Sequence, residues 1–124
     1  MLSTFRAEAE YETPERCRIV EIHNTGDDAQ CSIARARVAP NTTTALHALR
    51  AIEERYVILE GRGAVEVDGG APVMVGVLDV VTIPSGVSQR ITNAGQSDLV
   101  FLCICTPRFR QDAYIDLSSG PALR

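Results

Sequence analysis

A histidine and a carboxylate lie close together in the segment ALHALRAIEERYVILEG, which covers residues 45–61. Leu49 stands two residues after His47, and Glu54 and Tyr56 follow within an apolar run. Because alternate residues of a strand share a face, His47 and Leu49 point the same way, and so do Glu54 and Tyr56. An imidazole nitrogen and a carboxylate oxygen that converge are ligands for a divalent metal ion. The segment therefore raises the prospect of metal chemistry.

Short strands must position these residues. The runs CRIVEIH and QCSIARARV flank the turn-forming cluster NTGDD, which predicts a hairpin over residues 17–38. Further β-rich runs, each bounded by turn residues, are RYVILE, AVEV, PVMVGVLDVVTIP, SGVSQRITNAG and DLVFLCICTP. Many short strands at close spacing predict an all-β, antiparallel sandwich or barrel. Only FRQDAYIDL has apolar residues at helical spacing, which predicts a short C-terminal helical turn.

The length of 124 residues predicts one domain. We expect an N-terminal arm over residues 1–16, a barrel over residues 17–107 and a C-terminal tail over residues 108–124. The first residues are acidic and carry no long apolar run, unlike a secretory signal. No apolar run approaches the ~20 residues that a transmembrane helix needs. A cytoplasmic location without membrane contact is therefore expected.

Charge and cysteine content narrow the function classes. The net charge of -4 argues against a nucleic-acid partner, which needs clustered positive charge. All 12 basic residues are arginine, which excludes lysine-based covalent catalysis. The four cysteines contain no CxxC pair, so reduced thiols are expected. Cys103 and Cys105 share a strand face; they are either small buried hydrophobes or, if that face is inward, sulfurs near the site.

Two segments resemble the conserved motifs of the cupin superfamily. From the first histidine onward, the spacing of His47, Leu49, Glu54 and Gly61 is that of the first cupin motif. The segment GVLDVVTIPSGVSQRITNAG is similar to the second motif, and its residues in register are Pro84, Gly86 and Asn93. Together with their flanking strands, the motifs cover roughly residues 33–107. The resemblance implies an antiparallel double-stranded β-helix, a jelly-roll barrel like that of other small single-domain cupins.

The same resemblance implies a degenerate metal site. Metal-binding cupins commonly use two histidines and a glutamate from the first motif and one histidine from the second. Here Leu49 stands at the second histidine position and Gln89 at the last. The residues carried over as ligands are therefore His47, Glu54 and, through its amide oxygen, Gln89. One nitrogen and two oxygens suit a divalent ion such as Zn, Mn, Ni or Fe.

The residues are compatible with two functions. In the first, the trio holds a metal ion that acts on a small molecule, in an isomerase, lyase or dioxygenase type of enzyme. In the second, the three side chains only hydrogen-bond one another, and a metal-free, non-catalytic cupin binds a small metabolite. The ligand pocket expected in either case is lined by Leu49, Tyr56, Ile58 and Ile91.

The segment RYVIL is apolar on both strand faces. One face looks into the barrel, and the other needs cover from a second sheet or a second subunit. Small cupins that resemble this chain generally pair through such a sheet. A homodimer is therefore expected.

Overall fold

The structure is a computed structural model that describes residues 1–118; residues 119–124 of the predicted tail lie outside the described residues. Within this part of the chain, eleven strands form almost all of the regular structure. They are β1 (Tyr11–Glu12), β2 (Arg18–His23), β3 (Ser32–Val38), β4 (His47–Leu49), β5 (Glu53–Glu60), β6 (Gly63–Val67), β7 (Val73–Val75), β8 (Val80–Ile83), β9 (Gln89–Asn93), β10 (Leu99–Thr106) and β11 (Tyr114–Asp116). The prediction of an all-β chain is confirmed.

The strands form two antiparallel sheets that pack face to face. The larger sheet has the order β1-β2-β3-β10-β5-β8, and the smaller one has the order β11-β4-β9-β6-β7. Strands β2 and β3 pair antiparallel, as the NTGDD turn predicts. Neighbours such as β3 and β10 are distant in the sequence, which is the crossover pattern of a jelly roll. The jelly-roll prediction is therefore confirmed.

The hydrophobic core lies between the two sheets, because one face of each strand is apolar. Along β5, buried and partly exposed residues alternate, and Ile58 is 0% exposed. Ile91 of the smaller sheet packs in the same cluster. The other fully buried members include Val38, Ile83 and Leu99. This core holds the strands in the register that places the site residues.

The N-terminal and C-terminal segments of residues 1–118 both join the sheets. At the N-terminus, a 3-10 turn at Ala7–Ala9 leads into β1, which pairs with β2. Glu10 ties the expected arm to the barrel through ion pairs with Arg35 and Arg37. The expected arm is therefore docked on the barrel along the residues between Ala7 and Glu12.

The short helical turn predicted for FRQDAYIDL is confirmed as a 3-10 turn at Gln111–Ala113. The next residues form β11, which pairs with β4. Strand pairing takes precedence over the helical spacing because β4 would otherwise leave backbone donors and acceptors without partners. No helix among residues 1–118 is long and apolar enough to span a membrane.

Gly61 shows why the first motif ends in glycine. The turn between β5 and β6 gives Gly61 a φ of +80°, a conformation that favours glycine. A Cβ atom built there would lie 2.7 Å from the backbone oxygen of Asp98. The turn therefore needs glycine both for its backbone angle and for the close approach of the chain.

Candidate functional site

A cavity of about 480 Å³ opens between the sheets at the end where both termini meet the barrel. His47 and Leu49 of β4 line one side, and Glu54 of β5 lines another. The end of β10 contributes Cys103 and Cys105. Residues 11–15, strands β2 and β3, and residues 109–118 complete the wall. The volume falls within the range of small-molecule sites.

The hydrogen bonds of His47 set the tautomer of its imidazole ring. Nδ1 lies 2.8 Å from the backbone oxygen of Ala45 and 3.6 Å from Oε2 of Glu15. A carbonyl and a carboxylate oxygen only accept hydrogen bonds, so Nδ1 must carry the proton and donate it. In its neutral form the ring therefore keeps its lone pair on Nε2. His47 is 6% exposed and lines the cavity, so its ring combines a fixed tautomer with access to a bound molecule.

Tyr114 and Glu15 support His47 from the two ends of the chain. The Tyr114 ring stacks on the imidazole, with centroids 4.9 Å apart and an interplanar angle of 13°. Its hydroxyl donates to Oε2 of Glu15 at 2.9 Å. The same carboxylate faces Nδ1 of His47, so it links the arm, β4 and β11 in one cluster. Neither residue was predicted from the sequence, because nothing in their spacing signals that the termini meet.

Glu54 lies on the larger sheet, and its carboxyl group is buried. The residue is 7% exposed, and burial raises the pKa of its carboxyl above the ordinary value of 4.5, against the opposing charge of His47. The Cys105 thiol lies 3.7 Å from Oε2 and donates to it. Gln89 also hydrogen-bonds this carboxyl and, like Cys105, opposes the rise in its pKa. Glu54 thus combines burial with hydrogen bonds to Gln89 and Cys105.

The backbone of Gln89 pairs with His47 in the smaller sheet, whereas its side chain is hydrogen-bonded to the larger sheet. Its backbone is in register with His47, and the residue is 1% exposed. The Tyr56 hydroxyl donates to Oε1 of Gln89, which joins the two sheets. The amide nitrogen Nε2 is buried, and the side chain also hydrogen-bonds the Glu54 carboxyl. The structure therefore brings Gln89 near the site, with its oxygen already occupied.

Of the four residues expected to line the ligand pocket, one lines this cavity. Leu49 lines the cavity, whereas Tyr56, Ile58 and Ile91 pack in the core and are not among its lining residues. Tyr56 packs on Phe101 with ring centroids 4.6 Å apart. The difference in depth has a simple cause. Strand alternation determines which face a residue occupies, but not its depth along the barrel.

Both cysteines of β10 line the cavity, so the strand face that they share is inward. Burial raises the pKa of the Cys103 and Cys105 thiols above the ordinary value. A thiol kept protonated is a poor nucleophile and a poor metal ligand. The two side chains therefore act as small apolar wall atoms, and Cys105 also donates to Glu54.

The donor atoms of the site do not match the metal ion that the cupin resemblance implies. No group of three His, Cys, Asp or Glu side chains within residues 1–118 could hold a metal ion. Leu49 supplies no donor where a second imidazole would stand, and Oε1 of Gln89 already accepts from Tyr56. One imidazole and one carboxylate fall short of the three or four protein ligands of most zinc sites. The residues present do not fit a tightly bound resident metal.

The comparisons with known proteins agree with this fold. The chain is similar to Pac13 of Streptomyces, a nucleoside dehydratase, with 12% identity and a TM-score of 0.77 over 95% of this chain and 92% of that chain. It is similar to KdgF of Halomonas sp., with 13% identity and a TM-score of 0.76 over 90% and 98% of the two chains. A protein of Thermotoga maritima described as a predicted oxalate decarboxylase has 23% identity and a TM-score of 0.71, over 85% and 93%.

These solved structures are less than 25% identical to the chain and show the fold alone. No curated protein matches the chain. The sequence itself matches a family model described as the Cupin domain over residues 34–105, which is more than half of the 124 residues. That match spans β4, β5 and β9, which carry His47, Glu54 and Gln89. The chain is a member of the cupin family.

Proposed function

We propose that this cupin binds a small molecule in its cavity and transfers protons on it without a metal ion. His47 is the general base, acting through Nε2, and Glu54 is the general acid. The observation that carries the proposal is the different surroundings of two titratable groups in one cavity. Nδ1 of His47 faces the acceptors of Ala45 and Glu15, which leaves Nε2 as the nitrogen available to a bound molecule, and burial raises the pKa of the Glu54 carboxyl above its ordinary value. Pairs of titratable groups with such divergent environments are typical of acid–base catalysts.

The proton balance of this reaction is simple. Nε2 of His47 accepts a proton from a C–H or O–H group of the bound molecule. The carboxyl of Glu54, in its protonated form, delivers a proton to the group that leaves, or to a neighbouring carbon. Elimination of water and isomerisation both follow this scheme, and either is completed when the two side chains exchange protons with solvent. The dehydratase Pac13, whose histidine and tyrosine variants were solved with uridine, supports elimination as the first reaction to examine.

The experiment uses deuterium as the reporter. The protein is incubated in D₂O with separate pools of nucleosides, sugars and hydroxy acids, and NMR follows both deuterium uptake and loss of water. We expect one pool to react, and we expect His47→Gln or Glu54→Gln to slow the reaction by about 10²–10⁴-fold. Glu60→Gln, at an exposed carboxylate of β5 that does not line the cavity, is the matched control. A reaction that proceeds at the same rate in both site variants would contradict the proposal.

The metal-dependent alternative makes a different prediction. If His47, Glu54 and Gln89 hold Zn, Mn, Ni or Fe, elemental analysis of protein purified without chelators or an affinity tag will find about one equivalent. That metal would be lost in Glu54→Ala and Gln89→Ala. We expect less than about a tenth of an equivalent in the wild type, because the amide oxygen of Gln89 is bonded to Tyr56. A stoichiometric metal that chelation removes together with the activity would replace the acid–base proposal.

We also propose that the chain forms a homodimer. Apolar side chains are exposed on β7, on β8 and in the turn between them; they are Val73, Met74, Val77, Leu78 and Val80. Strand β8 is the edge of the larger sheet and lies beside β5, whose outward Leu59 is also exposed. An exposed apolar edge is typical of an interface. We expect sedimentation to find a dimer at micromolar concentration and Val80→Lys to give a monomer; a monomeric wild type would contradict the proposal.

A further inference from the structure

A cleft of about 570 Å³ lies outside the cavity that holds His47 and Glu54. Three connections between strands form its walls, namely β2–β3, β4–β5 and β10–β11. Along the last of them, Arg108 and Arg110 line the cleft, whereas Phe109 lines the cavity. The two spaces share no lining residue in the described part of the chain. The cleft is therefore a separate place for a ligand.

The charged side chains of the cleft are mainly basic. Arg50, Arg108 and Arg110 line it, and Asp112 is the only carboxylate among its described lining residues. Both carboxylate oxygens of Asp112 accept from Arg110, at 3.1 and 2.9 Å. Arg50 donates to the backbone oxygen of Asp112, which carries no charge. The cleft therefore has two more guanidinium groups than its one carboxylate can pair.

Carboxylates on the adjoining chain have partners elsewhere. Glu53, at the start of β5, lies 2.6 Å from Arg55. In the β2–β3 turn, Asp28 lies 2.8 Å from Nε2 of His23. Asp27 of the same turn is exposed and does not line the cleft. The positive charge of the cleft is therefore not cancelled by its surroundings, although the chain has a net charge of -4.

A buried nitrogen points independently to a ligand. Nε of Arg108 is buried and has no hydrogen-bond partner among residues 1–118. A guanidinium group only donates hydrogen bonds, so an acceptor must satisfy this atom. The residue as a whole is half-buried and lines the cleft, so rotation of the side chain presents the donor to a bound molecule. An unsatisfied buried donor costs free energy, which a bound oxyanion returns.

Apolar side chains complete the cleft; they are Ala51, Ile52, Pro107 and Ala113. Ile52 and Ala113 are buried in a small hydrophobic cluster, so this part of the wall is well packed. A carbon skeleton can lie against this surface while a charged group meets the arginines. Such a combination of a few polar groups with apolar surface is typical of small-molecule sites.

From these observations we infer that the cleft is a second binding site, for a small organic molecule that carries an oxyanion group, either a phosphate monoester or a carboxylate. Guanidinium groups bind both through paired N–H···O hydrogen bonds. Arg108 is the main anchor, because its Nε lacks another partner, and Arg50 adds charge. The inference goes beyond the proposed function, since it concerns a space in which His47 and Glu54 take no part.

The test uses three probes that share a phenyl ring and differ in charge: phenyl phosphate, benzoate and benzyl alcohol. The reporter is the backbone amide signal of Ala51 in nitrogen NMR, because Ala51 lines the cleft. We expect both anions to shift this signal and the alcohol to leave it unchanged at the same concentration. The relative affinities of the two anions then show which oxyanion the cleft prefers. Added salt should weaken the binding of both.

Matched variants locate the anion. Arg108→Gln should weaken its binding about tenfold, which is the usual effect of losing a hydrogen bond to a charged group. Arg108→Lys keeps the charge without the planar fork and should lie between this variant and the wild type. Arg62→Gln makes the same change in net charge in the turn between β5 and β6, at the far end of β5 from the cleft, and should leave the affinity unchanged.

Three results would overturn the inference: no shift with either anion, an equal shift with the alcohol, or equal affinity in Arg108→Gln and the wild type. Urea denaturation of each variant verifies that it is folded. His47→Gln separates this site from the proposed catalytic one. We expect it to bind the anion as the wild type does, even if it loses the deuterium exchange. Loss of anion binding in His47→Gln would show that the anion occupies the cavity, and the second site would be wrong.

Discussion

The imidazole ring of His47 stacks on the phenol ring of Tyr114, with their centroids 4.9 Å apart and their planes 13° from parallel. Because Tyr114 also donates to Glu15, this stack joins β4, β11 and the N-terminal segment at the cavity. Glu15 in turn lies 3.6 Å from Nδ1 of His47. The ring orientation of the proposed base therefore depends on both ends of the chain.

Two substitutions of Tyr114 separate the contribution of its hydrogen bond to Glu15 from the contribution of the ring stack. We expect Tyr114→Phe to lower the free energy of unfolding by about 1 kcal/mol, the usual value of one hydrogen bond. Tyr114→Leu also removes the stack and should cost about 1 kcal/mol more. Urea denaturation of the three proteins measures both differences. Equal losses in the two variants would show that the stack does not stabilise the fold.

Glu54 should make stability depend on pH in a specific direction. Burial raises the pKa of its folded-state carboxyl above 4.5, so the folded protein binds more protons than the unfolded chain between the two values. Stability therefore falls as pH rises through that window and stays lower above it. Relative to the wild type, Glu54→Gln should gain in free energy of unfolding as the pH rises above 4.5.

The measurement is denaturation at a series of pH values, with Glu60→Gln as an exposed control. The control should stay parallel to the wild type throughout this range. A difference between Glu54→Gln and the wild type that is constant with pH, or that shrinks as pH rises, would show that the folded carboxyl is not held protonated.

The sequence predicts the strands of this fold well, because alternation and turn residues are local signals. The sequence also predicts that His47, Glu54 and Gln89 lie close together, because these residues have the spacing of the two cupin motifs. It does not predict Glu15 or Tyr114, whose hydrogen bond joins positions 99 residues apart. Contacts between termini depend on how the ends dock, and no local pattern encodes that. The depth of Ile58 in the barrel is likewise a property of the packed sheets.

A pair of conservative substitutions distinguishes the core from the cavity wall. Ile91→Val should lower the free energy of unfolding by about 0.5–1.5 kcal/mol, because Ile91 is 0% exposed in the core, and should leave the rate of deuterium exchange into the bound molecule unchanged. Leu49→Val changes the cavity wall and should alter that rate. Denaturation and NMR in D₂O measure the two effects. A slower exchange in Ile91→Val would return this residue to the ligand pocket.

Gly61→Ala tests the turn that closes the first motif. The new Cβ would meet the backbone oxygen of Asp98 at 2.7 Å, and the φ of +80° disfavours alanine. We expect a loss of more than about 2 kcal/mol, since a clash with backbone adds to about 1 kcal/mol of conformational strain. Gly69→Ala is the control, because its φ is +69° with no atom within 4 Å. Equal losses would show that the contact with Asp98 is not limiting.

The proton position on His47 tests the central claim most directly. Nitrogen NMR of the chelator-treated protein at neutral pH, with His23→Gln for assignment, reports which ring nitrogen carries the proton. We predict a protonated Nδ1 and an unprotonated Nε2, because Nδ1 faces only the acceptors of Ala45 and Glu15. We also predict that an added equivalent of Zn²⁺ leaves the Nε2 signal unchanged. A proton on Nε2, or a shift of Nε2 on stoichiometric zinc, would contradict a metal-independent base at this position.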